Sequence, residues 1–469
     1  DLSKLISGLA KPSKLVVGVL SSLPIEGQAD PMGRNAQAPQ PWYVMDQIRQ
    51  SYETKTIYPG SAEIPKDVNL LFIVHPKKLP EATLYAIDQF VLGGGRALVY
   101  VDPFCESEVP PQDPNNPYAA MMAQKDSDLK ELFEAWGVQL AAGKIATDKR
   151  FATSVRWSNK GRPEEVKYVC WLTLDDQSVN KDEVTTAELR QLTMKSPGIL
   201  EQRAGATTQF VPLIQTSEES MELETAKVQF QPDPPALLAG FFPSGKKITL
   251  AARITGKVKS AFPGGKPKPS SEEAPAEPVN AATHLAESGG DINVVVVSDV
   301  DMLEDSSWVR VMNFGGQRLG QKMADNGDFL FNSLDYLHGS TDLVSLRARG
   351  GSVYPFLKVQ DIKREADTNY RAEEQRLDDE YTKAKSELQS MLTKSGENTE
   401  QVLDSAEFKQ RKSELETNLV TISERLRDVR YNLNKDVESL GSWLKFFNIV
   451  LAPLAVLAAA LIVFVYRAN

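Results

Sequence analysis

The chain has 469 residues, 41% hydrophobic and 25% charged, which are ordinary globular proportions for about two or three structural units. Its net charge of −10 argues against a nucleic-acid partner, because a phosphate backbone selects clustered Lys and Arg. Its two cysteines, Cys105 and Cys170, have no metal or redox spacing, so they read as two buried thiols or one disulfide rather than a zinc site or a disulfide framework.

Asp1 to Leu9 reads as the inside of a domain with no initiator Met or signal peptide, so an upstream part is expected. From Leu15 to Leu20 (LVVGVL) an apolar run predicts a strand ending at Ser21 and Ser22. A helix follows over Pro41 to Tyr52, then strands over Thr54 to Tyr58 and Asn69 to Val74. Pro80 opens the next helix as a favoured first-turn residue, and Gly93, Gly94 and Gly95 stop it before the strand Ala97 to Val101. This alternation predicts an open, mostly parallel α/β sheet. Asp126 to Trp136 reads as a further helix and Val138 to Ala146 as its return strand.

Beyond residue 150 the rhythm turns to strands at Val166 to Leu174, Gln209 to Gln215, Ala226 to Gln231 and Ile248 to Val258. Residues 263–290, dense in Pro, Gly and Ser, read as a flexible loop. The α/β core then closes with a strand over Asp291 to Ser298 and a helix over Asp328 to Leu337. In residues 359–440, apolar positions recur at alternating steps of three and four. Tyr370, Leu377, Tyr381 and Ala384 lie in one arm, and Leu415, Leu419, Ile422 and Leu426 in the other, with a turn near Gly396 and Asn398. This predicts an antiparallel coiled-coil hairpin whose second arm makes partner contacts. Residues 441–469 include an uncharged run from Phe446 to Tyr466, long enough for the roughly 20 residues a bilayer requires. One transmembrane helix is expected, with Trp443, Phe446 and Phe447 at its entry. Lys445 and Arg467 flank it nearly evenly, so charge leaves its orientation open.

In open α/β sheets, ligands bind outside the carboxyl ends of the strands, which here are Ser21, Ser22, His75, Asp102, Asp299 and Asp301. They form the candidate ligand-binding set. A serine nucleophile lacks its elbow, since the context is GVLSSLP, and the histidines are only His75, His284 and His338. Neither cysteine has a base beside it in sequence. The acidic run SDVDMLED departs from the calcium-loop spacing and reads as helix capping or solvated loop rather than a metal site. No catalytic residue, metal or cofactor is assigned.

Several phrases, in order, carry a resemblance: DLSKLISGLAKPSKLVVGVLSSLP, HPKKLPEATLYAIDQFVLGGGRALVYVDPF, VVVVSDVDML, NGDFLFNSLDYL and VRYNLNKDVESLGSWLKFFNIVLAPLAVL. Together they resemble the gliding-motility auxiliary proteins of ABC transporters, the GldG-like family. The resemblance implies a periplasmic soluble part, a bacterial inner-membrane anchor, and a permease and through it a cytoplasmic ATPase as partners. It also implies a head distantly similar to the class I glutamine amidotransferase fold. The enzymes of that fold use a cysteine after a strand, and none stands at Ser21 or His75.

The resulting expectation is an α/β head (1–150 and 291–358) on an open, flavodoxin-like or amidotransferase-like sheet. A β-rich extension (151–262), a loop (263–290), a coiled-coil hairpin (359–440) and a membrane anchor (441–469) complete it. The expected role is a non-enzymatic auxiliary subunit that couples or scaffolds the transporter. The alternative is a subunit that captures a polysaccharide, lipid or peptide ligand in the periplasm.

Overall fold

The computed structural model describes residues 15–27, 40–110, 122–159, 162–230, 232–267, 284–314 and 317–339, together with helical residues scattered between 373 and 431. The chain divides into two compact units, Asp1–Val353 and Tyr354–Asn469.

The first unit is built on strands that alternate with helices, as the sequence predicts. The strands β1 (Val16–Ser21), β2 (Glu53–Thr56), β3 (Leu70–Val74) and β4 (Arg96–Tyr100) interleave with helices α1 (Tyr43–Ser51) and α2 (Glu81–Leu92). Next come α3 (Lys130–Trp136), β5 (Val138–Leu140), β6 (Lys144–Asp148), β7 (Ala152–Asn159), β8 (Arg162–Leu174), β9 (Leu192–Lys195) and β10 (Leu200–Gln202). The remainder is β11 (Gln209–Gln215), β12 (Ser220–Glu224), α4 (Ala226–Gln229), α5 (Pro234–Ala239), β13 (Thr249–Gly256), β14 (Ile292–Val297), α6 (Asp305–Trp308), β15 (Val309–Phe314), β16 (Gln317–Lys322) and α7 (Asn326–His338).

The central sheet runs β2-β1-β3-β4-β14-β13-β10-β5, with β11 also on β13. Its first five strands are parallel, and β13, β10, β5 and β11 join antiparallel. Smaller antiparallel groups are β6 with β12, β15 with β16, and β7-β8-β9. The core strands are apolar at nearly every position, Ser21 and Asn293 excepted, because both faces are covered. Alternate residues serve opposite faces. Val17, Val19, Phe72 and Val295 pack with α1 and α7 residues such as Ile48 and Phe329, while Leu20, Leu71, Val99 and Val296 pack with Ile87 of α2 and Phe133 of α3. Each such fully buried side chain contributes about 1.5–3 kcal/mol relative to exposure.

The glycines after α2 behave as the helix stop expected of them. Gly94 is left-handed (φ +93°), and a Cβ on Gly95 would lie 2.4 Å from the Phe90 ring. Three expectations change. The strand predicted over Val138 to Ala146 breaks into β5 and β6 around the left-handed Gly143. The strand predicted over Ala226 to Gln231 is the short helix α4, where Val228 turns into a core with Leu223 and Phe241. The helix predicted from Asp126 starts only at Lys130, because Ser127 is drawn into a bridge with Asp102. Residues 151–262 supply β10, β11 and β13 to the central sheet itself.

Helix α7 is seated by the triplet Asp325, Asn326 and Gly327. Asp325 accepts the amides of Arg190 and Gln191, and Asn326 pairs with both backbone groups of Thr193. A Cβ on Gly327 would fall 2.4 Å from the buried Trp308 ring. Gly327→Ala is therefore expected to destabilise the head by about 2–3 kcal/mol through overpacking. Gly264→Ala, with open space around its Cβ, should stay within about 0.5 kcal/mol of the parent. Urea midpoints of the two variants check this.

In the second unit the described residues are helical, and their exposure follows the three-four step. Leu415 and Leu426 are buried and Leu419 and Ile422 half-buried, while their neighbours face water. Leu377 is buried in the earlier stretch, with Tyr381 and Ala384 half-buried. Arg411 reaches Glu387 at 3.0 Å, bringing the two stretches side by side. No helix among the described residues is long and apolar enough to cross a membrane. The expected span 441–469, with Trp443, Phe446 and Phe447, and the turn near Gly396 lie outside the described residues.

Candidate functional site

The parallel strands end on one edge, and the six candidate residues lie there, Ser21 as the last residue of β1 and the others in the loops leaving the strands. Two groups form. The first surrounds Asp102, Asp299 and Asp301, each fully buried. Asp102 accepts the amides of Phe104 and Val300 at 2.8 Å each, so one side chain ties the loop after β4 to the loop after β14. Asp299 accepts the amides of Lys195 (2.7 Å) and Met302 (3.2 Å). Asp301 accepts the amides of Glu106 (2.7 Å) and Ser107 (2.8 Å) and the Ser107 hydroxyl. The Cys105 thiol lies 3.6 Å from Asp301 Oδ1.

Burial, with the charges of Asp301 and Asp299 adding to it, raises the Asp102 carboxyl well above the usual carboxylate range. Asp299 is raised too, by burial first and Asp301 second. Cys105 is pushed up by burial and by Asp102 and Asp301, and burial pushes Cys170 up to about 12. Both thiols are free and buried, which disfavours the nucleophilic thiolate and resolves the earlier alternative against a disulfide. Among the described residues, the ligand atoms of Asp102, Cys105 and Asp301 come within 4.8 Å of one another. They could approach one cation, yet every oxygen of both carboxylates already accepts a backbone amide. The arrangement reads as a clasp between loops.

The second group lies where the strand order reverses, between β1 and β3. Ser21 closes a local turn, its hydroxyl accepting the Leu23 amide at 3.0 Å. Ser22 is exposed and accepts the Lys77 amide at 3.1 Å. His75 is fully buried in a left-handed conformation (φ +51°), and its Nε2 meets Glu108 Oε2 at 3.1 Å. Lys77 Nζ meets Glu108 Oε1 at 2.5 Å. Burial is the main cause that lowers the His75 imidazole, against the opposing pull of Glu108. Residue-by-residue reading missed Glu108, Lys77 and Glu106. Glu106 is a half-buried carboxyl that accepts Trp171 Nε1 at 2.9 Å and the Ser196 hydroxyl at 2.7 Å. Only Lys77 carried a local signal, two residues after a strand-end histidine.

The chain is 26% identical over 203 residues to an uncharacterized protein of Borreliella burgdorferi (strain ATCC 35210), a match spanning 43% of this chain and 38% of that protein. The sequence profile of the family described as an ABC-type uncharacterized transport system matches residues 14–333, from the start of β1 into α7. The chain therefore belongs to the auxiliary-component family of ABC-type transport systems.

Proposed function

We propose that this protein is a non-enzymatic, membrane-anchored auxiliary subunit of a bacterial ABC transporter, with its bulk in the periplasm. On this reading residues 441–469 cross the inner membrane, residues 359–440 set the height of the head, and the permease and through it the ATPase are its partners. Family membership supports the link to transport. The observation that carries a coupling role is the closure of the sheet's carboxyl edge. Asp102, Asp299 and Asp301 are fully buried and spend their acceptors on backbone amides, which makes the head a rigid body suited to transmitting a position. The finer kinship with gliding-motility members rests on the sequence phrases alone.

Gentle detergent extraction tests the proposal. Permease and ATPase are expected to co-purify with the full chain and to be lost when residues 359–440 are deleted, while the head keeps its circular dichroism. Unchanged co-purification after that deletion would count decisively against the coupling role.

A further inference from the structure

At the switch point between β1 and β3, one carboxylate is gripped by two donors of a single short loop. His75 Nε2 lies 3.1 Å from one oxygen of Glu108, and Lys77 Nζ lies 2.5 Å from the other. A carboxylate only accepts, so the imidazole proton sits on Nε2 and the lone pair on Nδ1, a buried atom with no hydrogen-bond partner among the described residues. The loop is prearranged for this grip. His75 and Lys78 are both left-handed (φ +51° and +50°), conformations that non-glycine residues adopt sparingly. The Ser22 hydroxyl accepts the Lys77 amide at 3.1 Å, and Lys77 Nζ also donates to the Gln124 carbonyl. The imidazole is wholly buried, while the Lys77 and Glu108 side chains keep 21% and 16% exposure, so the seat borders solvent on one side.

We infer that this seat is a recognition site for a ligand carboxylate, kept closed by Glu108 as an internal occupant. Open α/β sheets bind ligands at this place, and two charge-assisted donors aimed at the two oxygens of one carboxylate define the class they accept. An internal competitor acts at a high effective concentration, so a simple carboxylate does not displace it. A ligand that adds contacts beyond the seat does. The inference holds whether or not the head couples to a transporter.

The test removes the occupant and supplies the group from solution. The full chain, purified in detergent, is melted in sodium chloride, sodium acetate and sodium phosphate at equal ionic strength. Glu108→Ala is expected to melt below the parent and to gain about 2–4 °C in acetate over chloride. The parent and Glu108→Gln, whose side chain still fills the seat, should not respond to acetate. Equal melting of Glu108→Ala in acetate and chloride, or an equal acetate gain in the parent, overturns the inference. A gain in phosphate without one in acetate overturns the carboxylate class. Should Glu108→Ala fail to fold in chloride, its refolding yield becomes the readout. That yield must be higher in acetate, and equal yields overturn the inference as well.

Discussion

Asp301→Ala is expected to lower the unfolding free energy of the head by about 3–5 kcal/mol, a large share of the about 5–15 kcal/mol that holds a typical domain folded. The side chain is fully buried and accepts the amides of Glu106 and Ser107 and the Ser107 hydroxyl. Alanine leaves all three donors without their acceptor, and an orphaned buried donor costs about 1–3 kcal/mol. Ser107→Ala removes one donor and shortens no other bond, so it should cost only about 1 kcal/mol. Urea unfolding followed by tryptophan fluorescence measures both, with the denaturant slope unchanged if only stability has moved. Similar midpoints for Asp301→Ala and Ser107→Ala would show that Asp301 is not the clasp described here.

The raised carboxyls of Asp102 and Asp299 are expected to make the head lose stability as pH rises, with unfolding releasing protons rather than taking them up. Asp102 and Asp299 are both raised above the ordinary carboxyl value of 3.8, with burial as the first cause. A carboxyl raised in the folded state binds more protons folded than unfolded, from 3.8 upward. Its contribution is present below that value and is lost with rising pH, by up to about 1.4 kcal/mol per pH unit for each proton retained. His75 has the opposite sign. Burial lowers it from 6.5, so its unfolded form takes up protons first, and stability is lost as pH falls below 6.5. Above 6.5 the opposing contribution of His75 fades. Calorimetric unfolding at pH 7 in buffers of low and high ionisation enthalpy reads the proton count directly. Net proton uptake on unfolding would contradict the assignment.

Proton retention follows from how the cluster is built. The cation acting on Asp299 is Lys195, and its ammonium bonds to Glu304 at 3.2 Å. Asp102 has backbone amides and the two neighbouring carboxylates of Asp299 and Asp301 around it. Adjacent carboxylates in such surroundings cannot all ionise cheaply. The same proximity suppresses the Cys105 thiolate, which fits a structural thiol rather than a nucleophile.

Local periodicity in the sequence determined the elements of the parallel core and the residues at its strand ends. A strand covered on both faces is a near-continuous apolar run, as in Leu70–Val74 and Val294–Val297, and that pattern is visible without knowing its neighbours. The three-four spacing of Leu415, Leu419, Ile422 and Leu426 was legible for the same reason, and their covered positions in the second unit follow it. Of the sheet's antiparallel members, Gln209–Gln215 and Thr249–Gly256 were legible as strands but not their place in the sheet, and short ones such as Leu200–Gln202 take their identity from the strands beside them. Tertiary structure alone also decided what the strand ends do. Asp102, Asp299 and Asp301 were identifiable as strand-end acids, but their amide partners lie as far as 198 residues away. Glu108 meets His75 across 33 residues, through a loop whose sequence VDPFCESEVP has no period to read. A hydrogen bond between distant loops leaves no local pattern in either, so the return of the loop after β4 over His75 is a property of the folded chain.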